Sequence, residues 1–148
     1  MKQPILQCQN VCFSYHNLKG ETSALTNISF QITKGEFVSI VGPSGCGKST
    51  LLSLIAGLNM PESGTITLDR SENTKIGYML QQDHLLEWRT IYQNIMLGPE
   101  INQTITPENE KLALTLLNDY GLARFQDKKP GELSGGMKQR VALIRTMM

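Results

Sequence analysis

The sequence has no long hydrophobic run, few aromatic residues and almost no net charge. No apolar stretch approaches the roughly 20 residues a helix needs to cross a bilayer. Met1-Lys2-Gln3-Pro4 does not open a signal peptide. The chain is therefore expected in the cytoplasm, with any membrane role coming through a partner. Lys and Arg number 14 against 13 Asp and Glu, a formal net charge of +1. That balance gives no electrostatic basis for holding nucleic acid or an anionic lipid surface. Aromatic residues make up 6% and are not interleaved with basic runs, so a stacking surface for single strands is also unsupported. The cysteines, Cys8, Cys12 and Cys46, are three in number and lack paired metal spacing, which fits a reducing compartment. There is no internal repeat and no low-complexity tract.

What is present is enough for one domain or a large part of one: 148 residues, 40% of them hydrophobic. The chain is organised around Val38–Leu54. An apolar run from Phe37 to Val41 enters a glycine-rich turn, and the turn enters an apolar-periodic stretch, Leu51, Leu52, Leu54 and Ile55. The turn contains Gly42-Pro43-Ser44-Gly45-Cys46-Gly47-Lys48-Ser49-Thr50, the strand–loop–helix pattern of a P-loop. The chemistry requires this spacing. Gly42, Gly45 and Gly47 admit backbone angles that other residues resist, so successive N–H groups can point at phosphate oxygens. The following helix adds unpaired N–H groups and a partial positive charge at its N-terminus. Lys48 supplies a full charge near the β- and γ-phosphates, and the Ser49 hydroxyl is placed to ligate Mg²⁺. A plain glycine-rich turn explains the glycines but not Lys48-Ser49-Thr50. Cys46 reads as a small residue that fits the turn.

Around this centre the pattern predicts a strand at Ile5–Tyr15, a turn at His16–Thr22 and a half-buried antiparallel strand at Asn27–Ile32. Lys34-Gly35 makes the next turn. Glu36–Val41 reads as a strand buried on both faces of a parallel sheet. Pro61–Gly64 is expected to end the P-loop helix, with strands at Gly64–Asp69 and Ile76–Leu80. A loop at Leu85–Thr90 holds Trp88, and a short helix at Thr90–Leu97 is expected to stop at Gly98-Pro99. Thr106-Pro107-Glu108 is a helix start, Leu112, Ala113, Leu116 and Leu117 mark one face, and Gly121 caps the end. Lys128–Glu132 is a loop. Ser134 then starts a final helix with Met137, Val141, Ile144 and Met148 on one side. The boundary between the β-rich part with the P-loop and the mostly helical part is expected near residue 80.

Leu133-Ser134-Gly135-Gly136-Met137-Lys138-Gln139-Arg140 is the second informative stretch: a serine hydroxyl, two glycines that bare the backbone, and a helix N-terminus. Alone it reads as an ordinary capped helix. About ninety residues after a P-loop, it resembles the signature of the ATP-binding subunits of ABC transporters, with Met137 in place of the more usual glutamine. The resemblance covers essentially the whole chain. It implies an α/β P-loop NTPase fold with a RecA-like core, an N-terminal antiparallel β-subdomain and a helical subdomain. It implies ATP and Mg²⁺ as ligands. It implies a head-to-tail dimer with a second copy, in which Ser134, Gly135 and Gly136 reach the γ-phosphate held by the partner's P-loop, and a transmembrane permease at the inner face of the membrane. Gln81 matches the Q-loop glutamine that touches Mg²⁺ and the attacking water; Gln82 stands beside it in the adjacent register. Tyr15 matches the aromatic residue that stacks on adenine, with Phe13 as the alternate. Leu85-Leu86-Glu87-Trp88-Arg89-Thr90 resembles the nitrate, sulfonate and taurine importer branch, which usually has proline where Glu87 stands.

In that family an apolar strand ending in Asp-Glu (the Walker B aspartate and the catalytic glutamate), a D-loop and a switch histidine come next. None lies within these 148 residues, and neither His16 nor His84 stands in the switch position. The expectation is an incomplete core sheet, apolar side chains left open beside Phe37–Val41, and negligible hydrolysis of ATP by these residues alone. Two other readings stand beside an ABC ATPase: a non-catalytic nucleotide-binding module, and a small-molecule kinase. The kinase reading leaves Leu133–Gly136 unexplained.

Overall fold

The computed structural model describes residues 4–18, 20–69 and 76–148. The chain divides into two compact units, Met1–Ile76 and Gly77–Met148.

The first unit is built on β1 (Pro4–Asn17), β2 (Gly20–Thr33), α1 (Lys48–Ile55) and β3 (Ser63–Leu68). The strands form one antiparallel sheet in the order β2-β1-β3, with Cys8 opposite Phe30 on one side and Ile66 on the other. Leu6, Cys8 and Val11 of β1 are buried with Leu25 of β2, and Leu51 and Leu54 of α1 pack over them. Each such side chain contributes about 1.5–3 kcal/mol by leaving water. Between Cys8 and Val11 the alternation slips by one residue, at Asn10, whose φ is +50°. A bulge of this kind admits one extra residue and turns the strand. Gly64 lies against it: a Cβ there would fall 2.4 Å from the carbonyl oxygens of Gln9 and Asn10.

β1 and β2 run further towards each other than the expected turn at His16–Thr22. His16 pairs with Glu21 and Asn17 with Gly20, so the ladder runs through most of the expected turn. Helix α1 ends at Ile55 rather than at Pro61–Gly64. Gly57, at φ +75°, takes the left-handed turn first, and its N–H bonds the Leu54 carbonyl.

Two expected strands are absent. Neither Glu36–Val41 nor Ile76–Leu80 has strand structure, and neither joins the sheet. Instead of being buried on both faces, Phe37 is 97% and Val41 89% exposed. The physical reason is pairing. A parallel strand is held by backbone hydrogen bonds to neighbours on its edges, and no described segment lies beside these two in a ladder. Their apolar side chains are therefore open surface.

The second unit comprises α2 (Ile91–Ile95), α3 (Leu97–Ile101), α4 (Pro107–Asp119), 3₁₀ turns at Ala123–Phe125 and Pro130–Glu132, and α5 (Gly135–Met147). Val141 and Ile144 of α5 are fully buried against Ile91 and Ile95 of α2 and Leu117 of α4. The helix starts follow side-chain chemistry. The Thr90 hydroxyl accepts from the Gln93 N–H while the Gln93 side chain accepts from the Thr90 N–H. The Thr106 hydroxyl accepts from the Asn109 N–H, with Pro107 at the first helical position. Gly98-Pro99 does not stop a helix; it lies in the first turn of α3, where the missing proline N–H is no loss. Ala113, Leu116 and Leu117 are buried as the periodicity predicts, while Leu112 stands 42% exposed.

Candidate functional site

The P-loop residues form an exposed turn leading into α1. Gly45 and Gly47 have φ of +81° and +90°. At Gly47 two demands coincide. Its φ is left-handed, and a Cβ would meet the Ala24 carbonyl oxygen at 2.4 Å and Leu25 Cδ2 at 2.9 Å. Only glycine satisfies both. Gly47 is also the N-cap of α1, and it offers no side chain to cap the helix. The N–H groups of Lys48, Ser49 and Thr50 are the first three of the helix, which have no intrahelical carbonyl to bond. The sequence has thus placed three amide donors and the positive end of a helix at an open turn.

Lys48 completes the turn from inside. Its ammonium donates to the carbonyls of Gly42 at 2.8 Å and Pro43 at 2.6 Å, and lies 3.4 Å from Cys46 Sγ. Pro43, Ser44 and Cys46 are exposed around it, and the Cys46 N–H reaches the Pro43 carbonyl at 3.4 Å. The result is a small ring of backbone closed by a cation. Ser49 is exposed in the first turn of α1. Thr50 faces the other way. It is buried, and its Oγ1 lies 3.0 Å from the Tyr15 hydroxyl. Tyr15 is 47% exposed and meets Phe13 edge-on, ring centroids 5.1 Å apart. The bond to Thr50 ties this aromatic residue of β1 to the start of the phosphate-loop helix.

In the second unit Ser134 is the N-cap of α5 by its backbone: its carbonyl accepts from Lys138 N–H at 3.0 Å. Its hydroxyl makes no capping bond. Gly135 and Gly136 follow with open space where a Cβ would be. This is again a helix start whose first amides are left uncapped. Gln81 is exposed, and its carbonyl accepts from Gln139 Nε2 of α5 at 3.3 Å.

Three residues hold this unit's loops: Arg145 and Asn94, which the sequence did not single out, and Arg89 of the Leu85–Thr90 stretch. Arg145 of α5 donates to the carbonyls of Asp83 at 2.6 Å and His84 at 2.9 Å, and its partial burial lowers its pKa. His84 itself has φ +44°. Asn94, fully buried, donates to the carbonyls of Leu86, Arg89 and Thr90 and accepts from the Leu86 N–H, so it spans the loop holding Trp88. Arg89 pairs with Glu100 through both guanidinium nitrogens, which raises the Arg89 pKa and lowers that of Glu100. The only sign of Asn94 or Arg145 in the sequence is a polar residue among apolar positions of a helix.

Residues 25–148 match the family described as ABC transporter. The chain belongs to that family. It is 48% identical over 146 residues to the uncharacterized ABC transporter ATP-binding protein YtlC of Bacillus subtilis, covering 96% of this chain and 56% of that protein. It is 41% identical over 133 residues to the aliphatic sulfonates import ATP-binding protein SsuB 1 of Shouchella clausii, covering 90% and 51%. Among solved structures it resembles the dimeric ATP-binding cassette MJ0796 in a post-hydrolysis state bound to ADP and Pi, with a TM-score of 0.83, 36% identity, and coverage of 96% of this chain and 68% of that one. The fold is therefore that of the P-loop ABC cassette. The chain spans about half the length of these two curated relatives.

Proposed function

We propose that this ABC cassette chain binds Mg²⁺-ATP at Gly42–Thr50 and pairs head-to-tail with a second copy. On this reading it works on a permease at the inner face of the cell membrane to drive import of a small solute. The observation that carries the reading is the glycine N-cap at Gly47, which leaves the amides of Lys48, Ser49 and Thr50 uncapped beside the Lys48 ammonium. In the bound state these groups hold the β- and γ-phosphates. Lys48 gives up its carbonyl partners to them. Tyr15 offers its half-exposed ring to the adenine. The Ser49 hydroxyl would ligate Mg²⁺, which supplies neutralisation of phosphate charge when bound, and Gln81 is the Q-loop glutamine of the family's pattern. Ser134, with its hydroxyl uncommitted to a cap, and Gly135-Gly136 serve the nucleotide of the second copy. The relative named for aliphatic sulfonate import supports the direction of transport and a small solute.

Within these 148 residues no carboxylate stands in the position the family uses as general base. A missing positioned base lowers a rate by about 10²–10⁴-fold. On this reading these residues supply nucleotide binding and dimer closure, and hydrolysis by this stretch taken alone is slow. Calorimetric titration of Mg²⁺-ATP into the chain and its Lys48→Ala variant tests the site, with at least a tenfold loss expected in the variant. Equal affinity would overturn it. Single-turnover measurement at the rate of a full-length cassette would overturn the claim of slow hydrolysis. ATP-driven dimerisation that survives Ser134→Ala would overturn the role given to the second helix start.

A further inference from the structure

At the hairpin end of the sheet three potential metal ligands converge from three segments. His16 of β1 is the cross-strand partner of Glu21 in β2. Glu62 immediately precedes β3 on the opposite side of β1, and its N–H donates to the Cys12 carbonyl at 3.0 Å. One ligand atom from each of the three side chains lies within 4.8 Å of the other two, and His16 Nε2 is 2.6 Å from Glu62 Oε1. We propose that His16, Glu21 and Glu62 form a site for one divalent transition-metal ion of the Zn²⁺ class.

The geometry is close to what such an ion requires. Ligand bonds of about 2.0–2.2 Å in a tetrahedral site set ligand atoms about 3.3–3.5 Å apart. The ion takes the place of the His16–Glu62 hydrogen bond, and these two ligand atoms move apart by less than an ångström. All three side chains are exposed, so this shift meets no packing and the ion enters from solvent. The backbone beneath them is not free to move, because His16 and Glu21 are fixed by strand register and Glu62 by its bond to β1. One imidazole and two carboxylates favour Zn²⁺, Co²⁺ or Ni²⁺ over Mg²⁺ or Ca²⁺, which take oxygen alone. Three protein ligands leave a fourth position for water. The site lies one residue along β1 from Tyr15, so the bound ion clamps the strand that carries the aromatic ring.

The test uses the whole chain with Cys46→Ser, which removes the exposed thiol as a competing soft ligand. Zn²⁺ is titrated against a chelating dye, Co²⁺ binding is followed by its visible absorption, and the thermal midpoint is recorded with and without Zn²⁺. The expected result is one ion per chain and a rise in midpoint that is absent in His16→Gln. Glu62→Gln and Glu21→Gln should each weaken binding at least tenfold. Because the three side chains are exposed, the variants should keep the wild-type far-ultraviolet spectrum, and an altered spectrum would itself contradict the exposed geometry. No saturable one-to-one binding, or equal binding in wild type and His16→Gln, would overturn the proposal and leave His16–Glu62 as a stitch between strands. ATP titration of the unsubstituted chain is read separately, so a failure here is distinguishable from a failure of the phosphate loop.

Discussion

Arg145 donates to the Asp83 carbonyl at 2.6 Å, and through its second terminal nitrogen to His84 at 2.9 Å. One side chain near the end of α5 thus fastens the backbone that follows Gln81, while Gln139 fastens Gln81 itself. The helix that begins at Ser134 and the segment from Gln81 to His84 therefore share hydrogen bonds within one unit. Arg145→Ala should speed amide hydrogen exchange in residues 82–86 and lower stability by about 1.5–3 kcal/mol, as expected for hydrogen bonds to a charged group. Arg145→Lys should rescue little of this, because an ammonium does not reproduce the planar fork. Unchanged exchange in Arg145→Ala would show that other contacts hold the segment.

Gly47 and Gly45 provide a matched pair. Both have left-handed φ, but only Gly47 would drive a Cβ into backbone, at Ala24. Without nucleotide, Gly45→Ala should cost about 1–2 kcal/mol, the strain of the conformation alone. Gly47→Ala should cost distinctly more, since Ala24 belongs to β2 and yields only if the sheet does. Urea unfolding of the two variants checks the order, and equal costs would contradict the contact.

Asn94 is fully buried and makes four hydrogen bonds through its side chain. Asn94→Leu matches its volume roughly but leaves the Leu86 N–H without its partner. An orphaned buried polar group costs about 1–3 kcal/mol. The expected outcome is a loss of at least that size in urea, with Trp88 fluorescence reporting the loosened loop. An unchanged midpoint would mean that solvent satisfies the Leu86 amide.

Much of this was legible in the residues. Thr106-Pro107 announces α4, the glycines before Lys48 announce the turn into α1, and Ser134 announces α5. These signals are local: each residue acts on backbone within a turn of itself. What was not legible depended on distant or absent neighbours. Phe37–Val41 has the composition of a central strand, but composition does not supply the strand beside it, and the segment stands unpaired. Helix α1 ends at Ile55, well before Pro61, because Gly57 takes a left-handed turn first. Arg145 and Asn94 give no local signal of their roles, because they hold loop carbonyls such as Leu86 and Asp83, about sixty residues away in sequence in the case of Arg145.

The central claim is that the backbone around Lys48 is a seat for phosphate. The most direct measurement is the ¹H–¹⁵N spectrum of the chain titrated with Mg²⁺-ATP. The expected result is that the largest amide shifts fall on Gly45 to Thr50, with the Lys48 and Ser49 N–H protons moving downfield as they bond phosphate oxygens. Shifts that leave those amides unmoved and gather elsewhere on the chain would contradict it.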